Sequence, residues 1–275
     1  MKIDAHQHFW IFNETDFGWI GDDMESIRND YLPDDLYLEL KKTGFDGSIA
    51  VQARQTMEET RWLLQLAERH SFIKGVVGWV DLCSQEADMQ LENLAFNSKL
   101  VGMRHVIQDE PDENFILRPD FMRGIGQLRK YDLAYDILIY ARHLPQTAEF
   151  VSRFPDQTFI LDHIAKPDIK NGVFAPWKEG MAALSQYPNL YVKLSGMVTE
   201  ADWTKWSPDD FVPYLDATLE LFGSGRVMIG SDWPVCTLAG SYESVMGVVL
   251  DYIDSLSESE RAGILGENAA KAYKL

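Results

Sequence analysis

Two histidines, one residue apart, stand where the first apolar run of the chain ends: His6-Gln7-His8. In a strand, residues i and i+2 point to the same face. The two imidazoles therefore converge on one point, either as metal ligands or as two groups that polarise a substrate. The last apolar run, Val227-Met228-Ile229, leads into Gly230-Ser231-Asp232-Trp233-Pro234 and so contributes a carboxylate. A carboxylate next to neutral imidazoles in a partly dry site is expected to have a raised pKa and to accept a proton from water. The two motifs lie at opposite ends of the chain. A closed barrel nevertheless brings its first and last strands side by side.

The runs between them end in further chemistry-bearing residues. These are Gln52 and Arg54, Trp79 and Asp81, Arg104 and His105, Tyr140 with Arg142 and His143, Asp162-His163, and Lys193 with Ser195. With His6 and His8, five of the six histidines stand at such ends, and His70 alone falls on an expected helix. Structural readings stand beside the chemical ones. Asp232 can cap a helix that starts near Pro234, His105 can be a core histidine, and Arg54, Arg104, Lys166 and Lys193 can pair with carboxylates.

Strands are expected at 3–5, 47–53, 73–80, 100–106, 134–140, 158–162, 190–194 and 227–230. Their Val- and Ile-rich, non-alternating composition fits strands covered on both faces. Helices are expected after Leu32-Pro33 and at 57–70, 84–97, 119–130, 145–154, 176–187, 208–222 and 241–256, several of them opened by proline. Eight strand-then-helix cycles predict an α/β fold, a single-domain (β/α)8 TIM barrel over residues 1–275, a fold typically of ~250 residues. An open doubly wound sheet would carry a glycine-rich turn after the first strand, where histidines stand instead. Barrel active sites lie at the C-terminal strand ends, where the residues above are found. The longest irregular segment, 9–31, follows the histidine pair and carries Trp10, Phe12, Phe17 and Trp19. A loop of that length is expected to serve as a lid or binding loop.

The chain of 275 residues is 46% hydrophobic, enough for a sizeable core. Its net charge of −18 argues against nucleic acid or an anionic membrane surface as a partner. No apolar run approaches the ~20 residues of a membrane span. Cys83 and Cys236 form no disulfide pattern, and no leader-like segment opens the chain, so a cytoplasmic protein with free thiols is expected.

The set resembles the amidohydrolase superfamily. Its barrels carry His-x-His after strand one, histidines after strands five and six, and an aspartate after strand eight. His6, His8, His163 and Asp232 match the first, strand-six and last elements. The strings DHIAKP (162–167), KLSG (193–196) and GSDWPV (230–235) look like the amidohydrolase-2 branch. Within it they are similar to small lactonases acting on 2-pyrone dicarboxylate lactone and on sugar lactones, above all the L-fuconolactonases and L-rhamnonolactonases. Two departures stand out: strand four lacks the lysine of two-metal members, and strand five offers Tyr140 at the ligand position. A two-metal site is therefore not expected.

The resemblance implies hydrolysis of a small sugar lactone to its aldonic acid. Asp232 is then expected to activate water, with His163, Arg104 and His8 polarising the carbonyl. His6, Gln52, Arg54, His105, Tyr140 and His143 would meet substrate hydroxyls, and Trp10, Trp79 and Trp233 would supply apolar walls. No cofactor is expected to be required. If a single divalent metal such as Zn²⁺ binds, His6, His8, His163 and Asp232 are its ligands. The partner is a small-molecule sugar lactone, with a homodimer left open. A mononuclear metal-dependent decarboxylase, or another hydrolase of the branch, is the alternative function.

Overall fold

A computed structural model describes all residues, 1–275. The Val- and Ile-rich runs form eight parallel strands: β1 (Ile3–Gln7), β2 (Gly47–Val51), β3 (Ile73–Gly78), β4 (Leu100–Val106), β5 (Ala134–Leu138), β6 (Phe159–Leu161), β7 (Leu190–Leu194) and β8 (Val227–Ile229). They pair in sequence order. The circle closes above the last strand, where the His8 amide donates to the Trp233 carbonyl at 2.7 Å and the Asp232 amide to the His6 carbonyl at 2.8 Å. The ends of the chain are thus neighbours, as a barrel requires.

Helices follow the strands: α1 (Pro33–Thr43), α2 (Met57–Arg69), α3 (Ala87–Ala95), α4 (Pro119–Leu128), α5 (Leu144–Ser152), α6 (Ala175–Ser185), α7 (Pro208–Phe222) and α8 (Tyr242–Ile253). Proline occupies the first turn of α1, α4, α5, α6 and α7, where its missing N–H costs no intrahelical bond. Several expected boundaries shift inward. The strands at 47–53, 73–80 and 134–140 end two residues early, because their last residues turn out of the ladder to carry the loops above it. The helix expected at 84–97 is regular only over α3. Two short helices, α9 (Glu258–Ala262) and α10 (Asn268–Ala272), were not expected.

The interior is layered. Ile3, Ala5, Ile49, Val77, Ala134, Ile160, Tyr191 and Met228 form an apolar floor, sealed from below by Ala269 and Ala272 of α10 and by Tyr273. A larger apolar shell lies between the strands and the helices, with Tyr135, Ile137, Phe159, Leu161, Val192, Leu194 and Ile229 on the outer strand faces. Each fully buried side chain of this size contributes ~1.5–3 kcal/mol. Both cysteines are free. No helix is long and apolar enough to cross a membrane.

Candidate active site

The register of β1 determines how the histidines are aimed. Ile3 pairs with Gly47 and Asp4 with Ser48, but Gln7 pairs with Ala50, so β1 carries one extra residue between Asp4 and Gln7. Such a bulge re-aims side chains. Ala5 belongs to the floor, and the adjacent His6 also faces inward. Gln7 turns away and donates to Ser48 Oγ at 3.1 Å, and His8 returns to the interior. The expected convergence of His6 and His8 holds although the register shifts between Asp4 and Gln7. Two glycines leave room for the rings. A Cβ at Gly230 would lie 2.8 Å from His6 Cβ, and one at Gly196, whose φ is +61°, would lie 2.5 Å from His163 Nδ1.

Asp232 Oδ1 lies 3.3 Å from His8 Nε2, 3.7 Å from His6 Nε2 and 3.9 Å from His163 Nε2. The opposite ring nitrogens are all held. His8 Nδ1 donates to the Val51 carbonyl at 2.8 Å, which fixes the ring with Nε2 toward Asp232. His163 Nδ1 meets Ser195 Oγ at 2.9 Å. His6 Nδ1 lies 3.1 Å from Lys193 Nζ and 3.2 Å from Asp162 Oδ1.

Beneath these rings, on the apolar floor, lies a charged layer. Lys193, fully buried, reaches Asp136 at 2.5 Å and Asp162 at 2.9 Å. Arg104 reaches Asp162 at 3.1 Å and His6 Nε2 at 3.3 Å, and donates to the side chain and carbonyl of Gln52. Tyr273 donates to Asp136 from below at 2.7 Å. Two cations thus face two carboxylates, the balance a dry interior demands. Burial raises the Asp136 carboxyl to about 6. Burial also pushes Asp162 upward, but Lys193, His6 and Arg104 outweigh it and hold that carboxyl well below its usual range. His6 is kept neutral by burial and by its cationic neighbours, and burial lowers His163 to about 4. For Asp232 the expectation of a raised pKa is overturned. Burial acts in that direction, but His163, the hydrogen bond to His8 and His6 together pull it below the usual carboxylate range.

The chain turns unusually after β6. His163, Ile164, Ala165 and Lys166 all have positive φ, at 53°, 46°, 61° and 47°. Left-handed backbone costs an L-residue ~1–2 kcal/mol and normally occurs singly. Here Trp177 Nε1 donates to the Ile164 carbonyl at 2.7 Å and holds the turn, which directs both His163 and Lys166 to the cavity.

That cavity, of about 480 Å³, opens at the C-terminal ends of the strands. The buried His8, Arg104, His163 and Asp232 line it, together with Arg54 and Lys166. Thr15, Asp16 and Trp19 reach it from the long segment 9–31, which is tied down by paired backbone bonds between Trp10 and Tyr31. Arg54 meets Asp16 across the rim at 2.8 Å.

The other eight expected contact residues do not border the cavity. His6 and Gln52 are fully buried beneath it and hold Arg104. His105 alternates with Arg104 along β4 and therefore faces the other way. It stacks on Phe115, pairs with Glu110 at 2.6 Å and accepts from Trp79 Nε1 at 3.3 Å. His143 Nδ1 accepts the Tyr140 amide at 3.3 Å, at the start of α5. Tyr140 lies between Arg142 and Lys166. Trp233 packs on Phe9 and Tyr31, and Trp10 on Phe17, Trp19 and Tyr31.

Sequence reading did not single out Asp136, Asp16 or Glu59, and it placed Asp162 at a strand end without giving it a role. Position i+2 from Ala134 on β5 was the available signal for Asp136. Nothing local marks Glu59, which accepts the Ala53 and Arg54 amides at 3.0 and 2.8 Å and so shapes the turn that carries Arg54.

The family model described as amidohydrolase matches residues 3–275. The chain belongs to the amidohydrolase family. It is 40% identical to an L-fucono-1,5-lactonase of Burkholderia multivorans, across 100% of this chain and 96% of that protein. An L-fucono-1,5-lactonase of Burkholderia ambifaria is 37% identical over the same shares. A crystal structure of an amidohydrolase from Burkholderia multivorans with bound zinc superposes with a TM-score of 0.97 at 39% identity, covering 100% of this chain and 99% of that one.

The residues of this amidohydrolase fit a divalent ion as well. Ligand atoms of His6, His8 and Asp232 lie within 4.8 Å of one another. Three imidazole nitrogens and a carboxylate are a suitable zinc donor set, and their outer nitrogens are already anchored, as metal-binding histidines require.

Proposed function

We propose that this amidohydrolase opens an aldonolactone of the L-fucono-1,5-lactone type to its hydroxy acid. The observation that carries the reading is a buried carboxylate, Asp232, ringed by three imidazole Nε2 atoms at 3.3–3.9 Å in a monosaccharide-sized cavity. The full-length likeness to the Burkholderia lactonases supports the substrate class.

Hydrolysis of a lactone needs a proton acceptor for water and donors for the oxyanion. Asp232 stays ionised across neutral pH and accepts the water proton. His8, held by the Val51 carbonyl with Nε2 3.3 Å from Asp232, helps position the water and polarise the carbonyl. His163 can place its proton on Nε2 when Ser195 donates to Nδ1, and then serves as an oxyanion donor within the field of the Arg104 guanidinium. A divalent ion held by His6, His8, His163 and Asp232 would add Lewis-acid polarisation of the carbonyl. An activated ester does not demand it, because the guanidinium of Arg104 already brings fixed positive charge.

The test is turnover of L-fucono-1,5-lactone and a panel of other aldonolactones, followed by a pH indicator, before and after exhaustive chelation. Rapid opening of the fucono-lactone that survives chelation is the expected result. No turnover of any aldonolactone overturns the reading. Activity that vanishes on chelation and returns in proportion to added Zn²⁺ transfers the polarising role to the metal.

A further inference from the structure

Three cations line the cavity, and two of them are committed. Arg54 is paired with Asp16 at 2.8 Å, and Arg104 is locked among Asp162, His6 and Gln52. Lys166 has only a loose partner, Glu200, at 3.8 Å. Its ammonium lies 5.5 Å from the centre of the Tyr140 ring, an apolar support that leaves its donors free. The backbone that presents it is the left-handed run 163–166, conformationally costly at each non-glycine position. Such strain persists where surrounding structure enforces it, and it clusters at functional sites.

The reaction creates a charge in this cavity. Water adds to the carbonyl carbon and the ring C–O bond breaks. One water proton ends on the ring oxygen and the other in solvent, so a neutral lactone becomes a carboxylate. Asp16, Asp109 and Asp232 line the same space and repel that anion. Resting on the lactonase reading, we propose that Lys166 is the counter-ion of this site, pairing with the oxyanion as it forms and with the carboxylate of the hydroxy acid.

The experiment compares the parent enzyme with K166M, K166R and E200Q. It measures kcat/KM on L-fucono-1,5-lactone and, by calorimetry, binding of the hydroxy acid made from it. A hydrogen bond to a charged group corresponds to about a 10- to 100-fold effect. K166M is expected to weaken acid binding and to lower kcat/KM by that order, with K166R recovering part of each. E200Q, which removes the competing carboxylate, is expected to bind the acid roughly 2- to 3-fold more tightly, because a partner 3.8 Å away holds the ammonium only weakly. A folded K166M that binds the acid and turns over lactone like the parent overturns the proposal and leaves the lactonase reading standing. If K166M does not fold, an E200Q variant without tighter acid binding overturns it equally. A parent enzyme that opens no aldonolactone removes the reading and the proposal together.

Discussion

The two ends of the barrel interior are built on opposite principles. The lower end is hydrocarbon: Ile160, Val77 and Met228 meet the apolar face of α10, and Tyr273 sends only its hydroxyl upward. The upper end, a single layer away, holds Lys193, Arg104, Asp136 and Asp162 with almost no solvent contact. Apolar packing stabilises the fold whatever its detailed arrangement. A buried charge layer adds little net stability, because desolvation offsets the Coulomb attraction. What it supplies is position. His6 cannot rotate or take up a proton between Lys193 and Arg104, and the rings above it inherit that fixity. Stability and preorganisation are thus assigned to different layers of one barrel.

The largest expected effect that would sharpen this contrast is at Asp232. Asp232→Asn should retain the fold and its substrate affinity while kcat falls by ~10²–10⁴-fold. Steady-state kinetics alongside thermal denaturation check it, and near-normal turnover would remove Asp232 from the chemistry.

Next comes a matched pair across the two layers. Lys193→Met strands Asp136 and Asp162 without their shared cation and should cost about 3–5 kcal/mol of stability, with a loss of kcat in the molecules that remain folded. Ile160→Ala, on the floor, should cost a similar ~2–5 kcal/mol and leave the activity per folded molecule unchanged. Urea titrations with activity measured below the transition compare them. Equal kcat in the two variants would erase the distinction between the layers.

The smallest expected effect concerns the rim of the upper end. Burial raises Glu59 from 4.5 to about 7. Between those pH values the folded chain keeps a proton that the unfolded chain has released, so this group's contribution makes stability fall as pH rises. Glu59→Gln lacks that titration. Its stability relative to the parent should therefore rise from pH 4.5 to pH 7, by at most ~3 kcal/mol. Denaturant melts at several pH values measure the difference, and a pH-independent difference would contradict a raised Glu59.

The barrel was legible in the order of its elements, because Val- and Ile-rich runs alternating with proline-started amphipathic segments have few other ways to bury both strand faces. His6, His8, His163 and Asp232 were legible for a related reason: residues at strand ends converge once the strands close. Pairing of Arg104 and Lys193 with carboxylates was expected too, and the structure shows it, but which carboxylates they meet was not legible. Asp136 and Lys193 are 57 positions apart, and only the strand tilt and register of β5, β6 and β7 bring the two charges to 2.5 Å. Periodicity could not separate Arg104 from His105, since adjacent residues on a doubly buried strand look equally apolar in their surroundings. The tertiary structure decided that one faces the barrel interior and the other the helices.

The sequence by itself therefore determined the closed barrel and the convergence of His6, His8, His163 and Asp232, because those depend on local pattern and on strand ends. Only the tertiary structure decided which polar groups share the dry interior, the pKa direction of Asp232, and the left-handed path that brings Lys166 to the cavity. These depend on distances between residues far apart in the chain, and on a backbone conformation that no L-residue prefers and only surrounding contacts can impose.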